Sequence, residues 1–352
     1  MPLRALIVLA GFLAAAAAAA SAGAPLTAES MWALERLATP TVSPDGRHAV
    51  AAVTRFQEQH ALAADGVLGK RTVEALNVPP SRRARQVELA LERWRWLPDP
   101  GRRVVVVEIP RAELWAIDVE RGTTDLHMRT VVGAGRSHAT PMLAASISTV
   151  VFRPYWVPPP GILKEEILPE ARANPAWLAR HGMEIVARPE EDAETFAPTE
   201  DVLYRVAKGE LTLRQRPGPR SDLGAVKFVV PDAQCIALHG TPYGRLFELP
   251  RRNRSHGCIR LQDPNALARW VLGEEEGWDA ARIAEAAARE RSTTVKLREP
   301  VQVVFVYGTA AVDPDGTEHF VEDAYGLDAQ VEAELARQAL PARRGSGRPG
   351  AP

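Results

Sequence analysis

Four apolar segments between residues 103 and 152 constrain the fold of this chain most strongly. They read VVVVEI, ELWAIDV, MRTVVG and SISTVVF, and they are rich in the β-branched residues that favour extended backbone. Gly133, Gly135 and Pro141 mark turns between the later segments. Short strands separated by turns predict a mainly antiparallel β-domain.

Helical segments accompany the strands. Residues 81–97, SRRARQVELALERWRWL, place Val87, Leu91, Trp94 and Leu97 at helical spacing, which predicts a linker helix over 81–100 packed on these side chains. A charged helical stretch follows the fourth strand, and two more helices precede the last strands. We therefore predict an α+β fold, mainly β, with flanking helices.

The stretch HGTPYGRLFELPRRNRSHGCIRL, residues 239–261, carries the reactive groups. Fifteen residues separate His239 from Ser255, and Cys258 ends the Ser-His-Gly-Cys run. A thiolate attacks carbonyls far better than a hydroxyl does, and a nearby imidazole can take its proton. Because Gly257 leaves the backbone unrestricted, successive N–H groups there can turn toward an oxyanion. This pattern indicates acyl transfer through a thioester.

Other interpretations of these residues stay open. A cysteine in a strand is often an inert small apolar residue, and a single histidine is often structural. Cys235, His239, His256 and Cys258 are also four donors of the kinds that bind zinc, although their spacing is poor for it. A Cys235–Cys258 disulfide would abolish the proposed nucleophile, so we expect both cysteines to be reduced.

The spacing of H-G-T and S-H-G-C-I-R resembles the signature of the L,D-transpeptidases, the YkuD domain, which cross-link or edit bacterial peptidoglycan. The resemblance implies Cys258 as nucleophile, His239 as general base, and the Gly257 and Cys258 N–H groups as the oxyanion hole. It implies that the pocket is shaped by Ser255, His256, Arg260, Thr241, Tyr155, Trp156 and Arg216. The last three are equally compatible with ordinary core or surface positions.

Further blocks extend this resemblance to the large branch of the family. They are PYWVPP, EILP, LRQRPGP, LGAVKF, VVFVYGTA and DAYGLD. The resemblance implies a β-sandwich or barrel catalytic domain over 101–330. It also implies an inserted, partly helical cap at about 158–215 that excludes water from the cleft.

The amino-terminal region divides into three predicted parts. Residues 1–22 have the features of a signal peptide, namely Arg4, an apolar run and small residues at its end, with an uncleaved membrane anchor as the alternative. Residues 23–55 are a lead-in segment in which Ser-Pro-Asp-Gly predicts a turn before a strand. Residues 56–80 resemble the second half of the helical peptidoglycan-binding domain. At the other end, 331–352 is expected to be a helix end and a disordered tail.

Composition narrows the function. The net charge of −1 argues against nucleic acid as a partner. The resemblance implies peptidoglycan stem peptides as substrates, carbapenem-type β-lactams as inhibitors, and no cofactor or metal. We expect a monomer, and the signal-like residues 1–22 predict a periplasmic location. Two alternatives remain: a thiol-dependent L,D-carboxypeptidase or hydrolase, and a non-catalytic wall-binding protein.

Overall fold

The computed structural model describes residues 47–231 and 236–339. It contains two compact units. Leu97–Val306 form the first, and the second combines residues 47–96 with residues 307–339. Each unit has its own buried side chains and is described by itself below.

Several sequence predictions lie outside the described residues: the signal peptide at 1–22, the lead-in as far as residue 46, Cys235, and the tail beyond 339. The predicted catalytic domain extended to residue 330, whereas the chain leaves the first unit after Val306. Within the described ranges, no helix combines the length and apolarity needed to cross a bilayer.

The described chain opens with α1 (Arg47–Gln59), α2 (Lys70–Leu76) and α3 (Pro80–Arg95). The prediction of a strand after Ser-Pro-Asp-Gly is wrong, because the described chain begins with a helix at Arg47, the residue that follows this sequence. The α1 sequence RHAVAAVTRFQEQ is rich in alanine, arginine and glutamine, which favour helix over strand.

The first unit begins with β1 (Arg103–Glu108), β2 (Glu113–Asp118), β3 (Thr123–Gly133) and β4 (Leu143–Phe152). These strands confirm the four predicted segments. In β2, buried residues alternate with partly exposed ones, as expected for a strand with one face in a core.

The expected inserted, partly helical segment follows β4. Its elements are α4 (Pro160–Ile162), a π-helical turn (Leu163–Ile167), α5 (Leu168–Ala173), α6 (Ala176–Arg180), β5 (Met183–Val186), β6 (Thr195–Phe196), α7 (Glu200–Lys208) and β7 (Thr212–Gln215). This segment, the cap, has an apolar core of its own, formed by Ile167, Leu168, Ala171, Leu178, Met183, Ile185, Leu203, Val206, Leu211 and Leu213.

The chain then returns to the main sheet. The elements are β8 (Val226–Val229), β9 (Ala237–His239), β10 (Asn253–Ser255), β11 (Ile259–Leu261), α8 (Pro264–Leu272), α9 (Ala280–Ala288) and β12 (Thr293–Val306). Asp263 caps α8 by accepting a hydrogen bond from the Ala266 N–H at 2.8 Å.

In this sheet the strand order is β10-β3-β11-β9-β8-β4-β12-β1-β2, and β2 also pairs with β3. The order therefore closes on itself into a barrel. Most neighbours are antiparallel, whereas β1–β12, β9–β11 and β3–β10 are parallel. The predicted α+β class with a barrel-type sheet and flanking helices is confirmed.

The second unit ends with β13 (Ala310–Val312), β14 (Glu318–Phe320) and α10 (Leu327–Ala339). The prediction of which face of α3 is buried is wrong. The buried residues of α3 are Gln86, Leu89, Ala90 and Arg93, whereas Leu91 is 40% exposed. The polar members of this face bond to distant parts of the chain, which helical spacing of apolar residues does not reveal. Gln86 donates to the Val321 carbonyl at 3.0 Å, and Arg93 forms a buried 2.7 Å ion pair with Asp328.

Candidate active site

The strand register of the barrel brings the two halves of the His-Gly-Thr and Ser-His-Gly-Cys pattern together. His239 ends β9, and Cys258 directly precedes β11. These strands are neighbours, with His239 opposite Arg260 and Leu238 opposite Ile259. The nineteen positions between His239 and Cys258 are thus reduced to the separation between two adjacent strands.

His239 is buried and its ring is fixed. Its Nδ1–H donates to the Gly240 carbonyl at 2.6 Å, which leaves Nε2 as the ring nitrogen able to accept a proton. Burial lowers the pKa of His239 to about 4. The bond to Gly240 opposes this shift, and the charges of Arg260 and Lys227 reinforce it. The imidazole is therefore neutral at pH 7, as a general base must be before it takes a proton.

Lys227 belongs to this environment, although sequence analysis gave it no role. It lies opposite His239 on β8, so His239 has a cation on each neighbouring strand. Two adjacent positive charges disfavour an imidazolium. This arrangement favours a resting neutral imidazole with a thiol over a thiolate–imidazolium pair.

Cys258 carries a thiol, and its backbone is held by the turn that joins β10 to β11. The Ser255 hydroxyl donates to the Cys258 carbonyl at 2.5 Å and accepts the Gly257 N–H at 3.1 Å. Gly257 has φ +112°, a conformation that glycine adopts far more readily than other residues. Ser255 thus fixes the turn of residues 255–258, and the Gly257 N–H, one of the two expected oxyanion donors, bonds to Ser255 in this structure.

Thr140 supports the same turn from an adjacent loop. Its hydroxyl donates to the Gly257 carbonyl at 2.8 Å and accepts the Gly133 N–H at 2.9 Å. Only glycine fits at position 133, because a Cβ there would lie 1.8 Å from the His138 carbonyl oxygen. The sequence predicts only a turn in this loop, and the position of Thr140 directly before Pro141 is its one local signal.

Arg260 and Thr241 lie close to His239. The Arg260 guanidinium lies 5.9 Å from the centre of the Tyr243 ring, and its Nε is buried without a hydrogen-bond partner in the described structure. The Thr241 hydroxyl accepts the Tyr243 N–H at 3.4 Å. Tyr243, which is 50% exposed, is thus an aromatic surface beside the predicted pocket that sequence analysis did not identify.

The other three predicted pocket residues lie where the cap joins the sheet. Trp156 packs against the cap core and forms a β-bridge with Gln215. Tyr155 lies 4.4 Å beneath the Arg214 guanidinium. Arg216 is 60% exposed and lies 3.8 Å from Glu184. These contacts indicate structural roles at the junction, and a pocket role for them stays a prediction.

His256 faces the cap. Its Nε2–H donates to Glu166 at 2.8 Å, and its ring meets His138 edge-on at 4.6 Å. Glu166 lies in the π-helical turn, 90 positions earlier in the chain. Glu166 is the first residue of the EILP block, to which the sequence assigned no role in the site, and His138 carried no signal in the sequence.

The zinc alternative needs Cys235, which lies outside the described residues. Among the residues that are described, no group of three or more histidine, cysteine, aspartate or glutamate side chains is placed to hold a metal ion. Chemistry without a metal stays a prediction.

The barrel, the cap and the 239–261 stretch match a known protein family. Residues 102–304, over half of the 352-residue chain, match the sequence profile of the YkuD family, described as the L,D-transpeptidase catalytic domain. The chain belongs to the L,D-transpeptidase family. The match covers the barrel from β1 to residue 304 in β12, together with the cap, and it contains the entire 239–261 stretch.

A second profile, "Putative peptidoglycan binding domain", matches residues 33–76 of this L,D-transpeptidase family member. The peptidoglycan-binding resemblance seen in the sequence is confirmed. The match begins 23 residues before the predicted start of that segment at residue 56, and it includes α1 and α2.

Two individual proteins are similar to this chain. A "Putative L,D-transpeptidase" of Haemophilus influenzae is 28% identical over 275 residues, which are 77% of this chain and 54% of that protein. The chain therefore spans about half the length of this curated relative. The crystal structure of an L,D-transpeptidase (Yku) from Stackebrandtia nassauensis is 14% identical, with a TM-score of 0.27 over 69% of this chain and 80% of the other.

Proposed function

We propose that this protein is a peptidoglycan L,D-transpeptidase that works through a thioester on Cys258. The observation that carries the proposal is the buried, neutral His239. Its Nδ1–H bonds to Gly240, and it lies on the strand next to the one that follows Cys258. A base held in one tautomer, on a strand paired with the one that follows the thiol, supports a role in removing the thiol proton.

The reaction has two steps. His239 Nε2 takes the thiol proton as sulfur attacks the carbonyl of the third residue of a stem tetrapeptide. The Cys258 N–H, together with that of Gly257 if it leaves Ser255, stabilises the oxyanion. The C–N bond to the terminal D-Ala breaks, and that amine leaves with the proton from His239. An incoming amine, such as that of diaminopimelate on another stem, then attacks the thioester, loses its proton to His239, and releases the thiol.

Peptidoglycan as substrate is supported by both profile matches, since one describes a catalytic domain of wall-modifying enzymes and the other a wall-binding domain. The proposed substrate lies outside the cytoplasmic membrane, so we propose that the protein works in the periplasm. We also propose that it works as a monomer. The apolar run within residues 1–22 is the feature that would export it. Fractionation of cells and light scattering test these two points.

The deciding experiment compares the two cysteines. The purified protein, Cys258→Ala and Cys235→Ala are each incubated with a disaccharide tetrapeptide, and the products are identified by mass. We expect cross-linked dimer from the unaltered protein and from Cys235→Ala, and none from Cys258→Ala. Tripeptide without dimer would identify a hydrolase instead. Undiminished turnover by Cys258→Ala would refute the proposed nucleophile.

The same variants test inhibition by carbapenems, whose strained β-lactam resembles the donor carbonyl. We expect one covalent adduct on the unaltered protein and on Cys235→Ala, and none on Cys258→Ala, in intact-mass spectra under reducing conditions. If Cys235→Ala also loses the adduct, a shared role for the two cysteines, as in a zinc site, replaces the proposal.

A further inference from the structure

One contact joins the cap to the turn that carries the nucleophile. Glu166 accepts a 2.8 Å hydrogen bond from His256, which precedes Cys258 by two positions. The two side chains are 54% and 40% exposed, so the pair lies at the solvent edge of the cap. His138 packs edge-on against the His256 ring and limits its orientation.

The Glu166 end of this contact is rigidly attached to the cap. Glu166 lies in the π-helical turn Leu163–Ile167, and the next two residues, Ile167 and Leu168, are each 3% exposed within the cap core. Single π-helical turns inside α-helices are frequent at functional sites. A displacement of the cap therefore moves the Glu166 carboxylate and breaks its bond to His256.

The His256 end is attached just as closely to the nucleophile. Gly257 follows His256 directly, and its carbonyl and N–H are held by Thr140 and Ser255. The Ser255 hydroxyl also fixes the Cys258 carbonyl. The 2.8 Å contact thus links two rigid groups, the cap core and the 255–258 turn.

We propose that the Glu166–His256 contact holds the cap over the thioester and so determines whether an amine or water accepts the acyl group. This inference rests on the proposed function. When an amine attacks, a C–N bond replaces the C–S bond, and the proton lost by the amine returns to the thiolate. When water attacks, a C–O bond forms instead, and the product is a tripeptide acid. A closed cap disfavours the second outcome because it limits the access of water.

The ratio of cross-linked dimer to tripeptide measures this partition. Glu166→Ala should lower the ratio about fivefold, the size expected for the loss of a half-exposed ion pair. Glu165→Ala is the matched control, since Glu165 is the exposed neighbour in the same turn, and it should leave the ratio unchanged. General destabilisation would reduce both products together and would not change their ratio. Equal ratios for the two variants would overturn the inference.

A second measurement does not depend on turnover. Iodoacetamide alkylates thiols at a rate that follows their accessibility and ionisation, and peptide mass mapping separates Cys258 from Cys235. We expect Cys258 to be alkylated faster in Glu166→Ala than in Glu165→Ala. If Glu166→Ala speeds alkylation but the unaltered protein makes neither dimer nor tripeptide, the contact still closes the site and the proposed function is refuted. Equal alkylation rates in the two variants would refute the contact as a closure of the site.

Discussion

His239 in the first unit and His60 in the second have nearly the same local chemistry. Each donates Nδ1–H to a backbone carbonyl, that of Gly240 at 2.6 Å or that of Phe56 at 2.7 Å. Burial lowers the pKa of each to about 4. A lowered pKa therefore does not by itself identify a catalytic residue here.

The surroundings of the two rings differ. His60 lies at the end of α1, stacks on the Phe56 ring at 3.9 Å and faces Phe320 at 6.3 Å, so it packs as part of an aromatic cluster. His239 lies between two cation-bearing strands and beside the strand that follows the thiol. The two histidines thus differ in their neighbours and not in their pKa, and it is the nearby thiol-bearing segment that supports the proposal of His239 as a base.

Replacing each histidine with glutamine tests this comparison most directly. His239→Gln should lower kcat/KM for dimer formation by about one hundred to ten thousand fold, the usual size of a lost general base. His60→Gln should change it less than about twofold, because His60 packs within the second unit and its replacement acts mainly on stability. Steady-state kinetics on folded protein, checked by circular dichroism, measure both. A comparable loss in the two variants would remove the distinction.

The buried Arg93–Asp328 ion pair lies in the second unit, where we expect a substitution to change stability and not activity. Its partners are 2% and 4% exposed, and Asp328 also accepts a 2.7 Å hydrogen bond from Thr309. Asp328→Asn should lower the free energy of unfolding by about 3–5 kcal/mol, because it leaves the Arg93 charge buried without its counterion. Denaturant titration measures this loss, and kcat of the folded fraction should stay unchanged.

A matched control is available on the surface of the same unit. Glu332→Gln removes the 3.0 Å ion pair with Arg82, whose side chain is 55% exposed, and should cost less than about 1 kcal/mol. If Asp328→Asn costs no more than Glu332→Gln, the buried pair contributes no more to stability than an exposed one does.

Acidification should affect His239 through stability as well as activity. Its pKa is about 4 when folded, against an ordinary value of 6.5, so the folded chain resists protonation. Stability is complete above pH 6.5 and falls as pH drops from 6.5 toward 4, because the unfolded chain binds the proton first. By pH 4.5 this loss amounts to about 2–3 kcal/mol.

His239→Gln should therefore lose less stability than the unaltered protein between pH 7.5 and pH 4.5, as measured by urea unfolding at both values. His60→Gln should show a loss reduced in the same direction, because its pKa is lowered for the same first reason, burial. Stability against pH would then treat the two histidines alike while activity separates them. An unchanged acid loss in His239→Gln would contradict the lowered pKa.

The sequence predicted those features that depend on local pattern. The four strands from β1 to β4 follow from β-branched segments and turns. The pairing of Cys258 with His239 as nucleophile and base came from a spaced motif and stays a prediction. Patterns within a few residues are visible in a sequence because the interactions that produce them are local.

The missed features depend on distant partners or on backbone atoms. The Gly240 carbonyl that fixes the His239 tautomer has no side-chain signature. Glu166 bonds to His256, which lies 90 positions later in the sequence. Arg93 is buried against Asp328, which lies 235 positions later. Such contacts are determined by tertiary packing, which helical or strand periodicity does not encode. Polar residues buried by a partner therefore read as exposed in the sequence.

Thr140 is the missed residue whose role is most easily isolated. Thr140→Val keeps the shape of the side chain but removes its bonds to the Gly133 N–H and the Gly257 carbonyl, both in buried surroundings. Leaving these groups unpaired should cost about 1–3 kcal/mol of stability. Without the bond to its carbonyl, Gly257 is free to shift, and the backbone before Cys258 shifts with it. We therefore expect kcat/KM to fall as well, by about tenfold if 1.4 kcal/mol of the lost stability acts on the transition state.

Thr140→Ser separates these bonds from simple packing. It keeps the hydroxyl and loses a methyl group, so it should retain most of the activity while losing some stability. Activity restored by Ser but not by Val means that the hydroxyl holds the 255–258 turn in its reactive form. Equal activity of the two variants would mean that the turn keeps its shape without Thr140. In that case the positioning of Cys258 would depend on Ser255, whose hydroxyl contacts both Gly257 and Cys258.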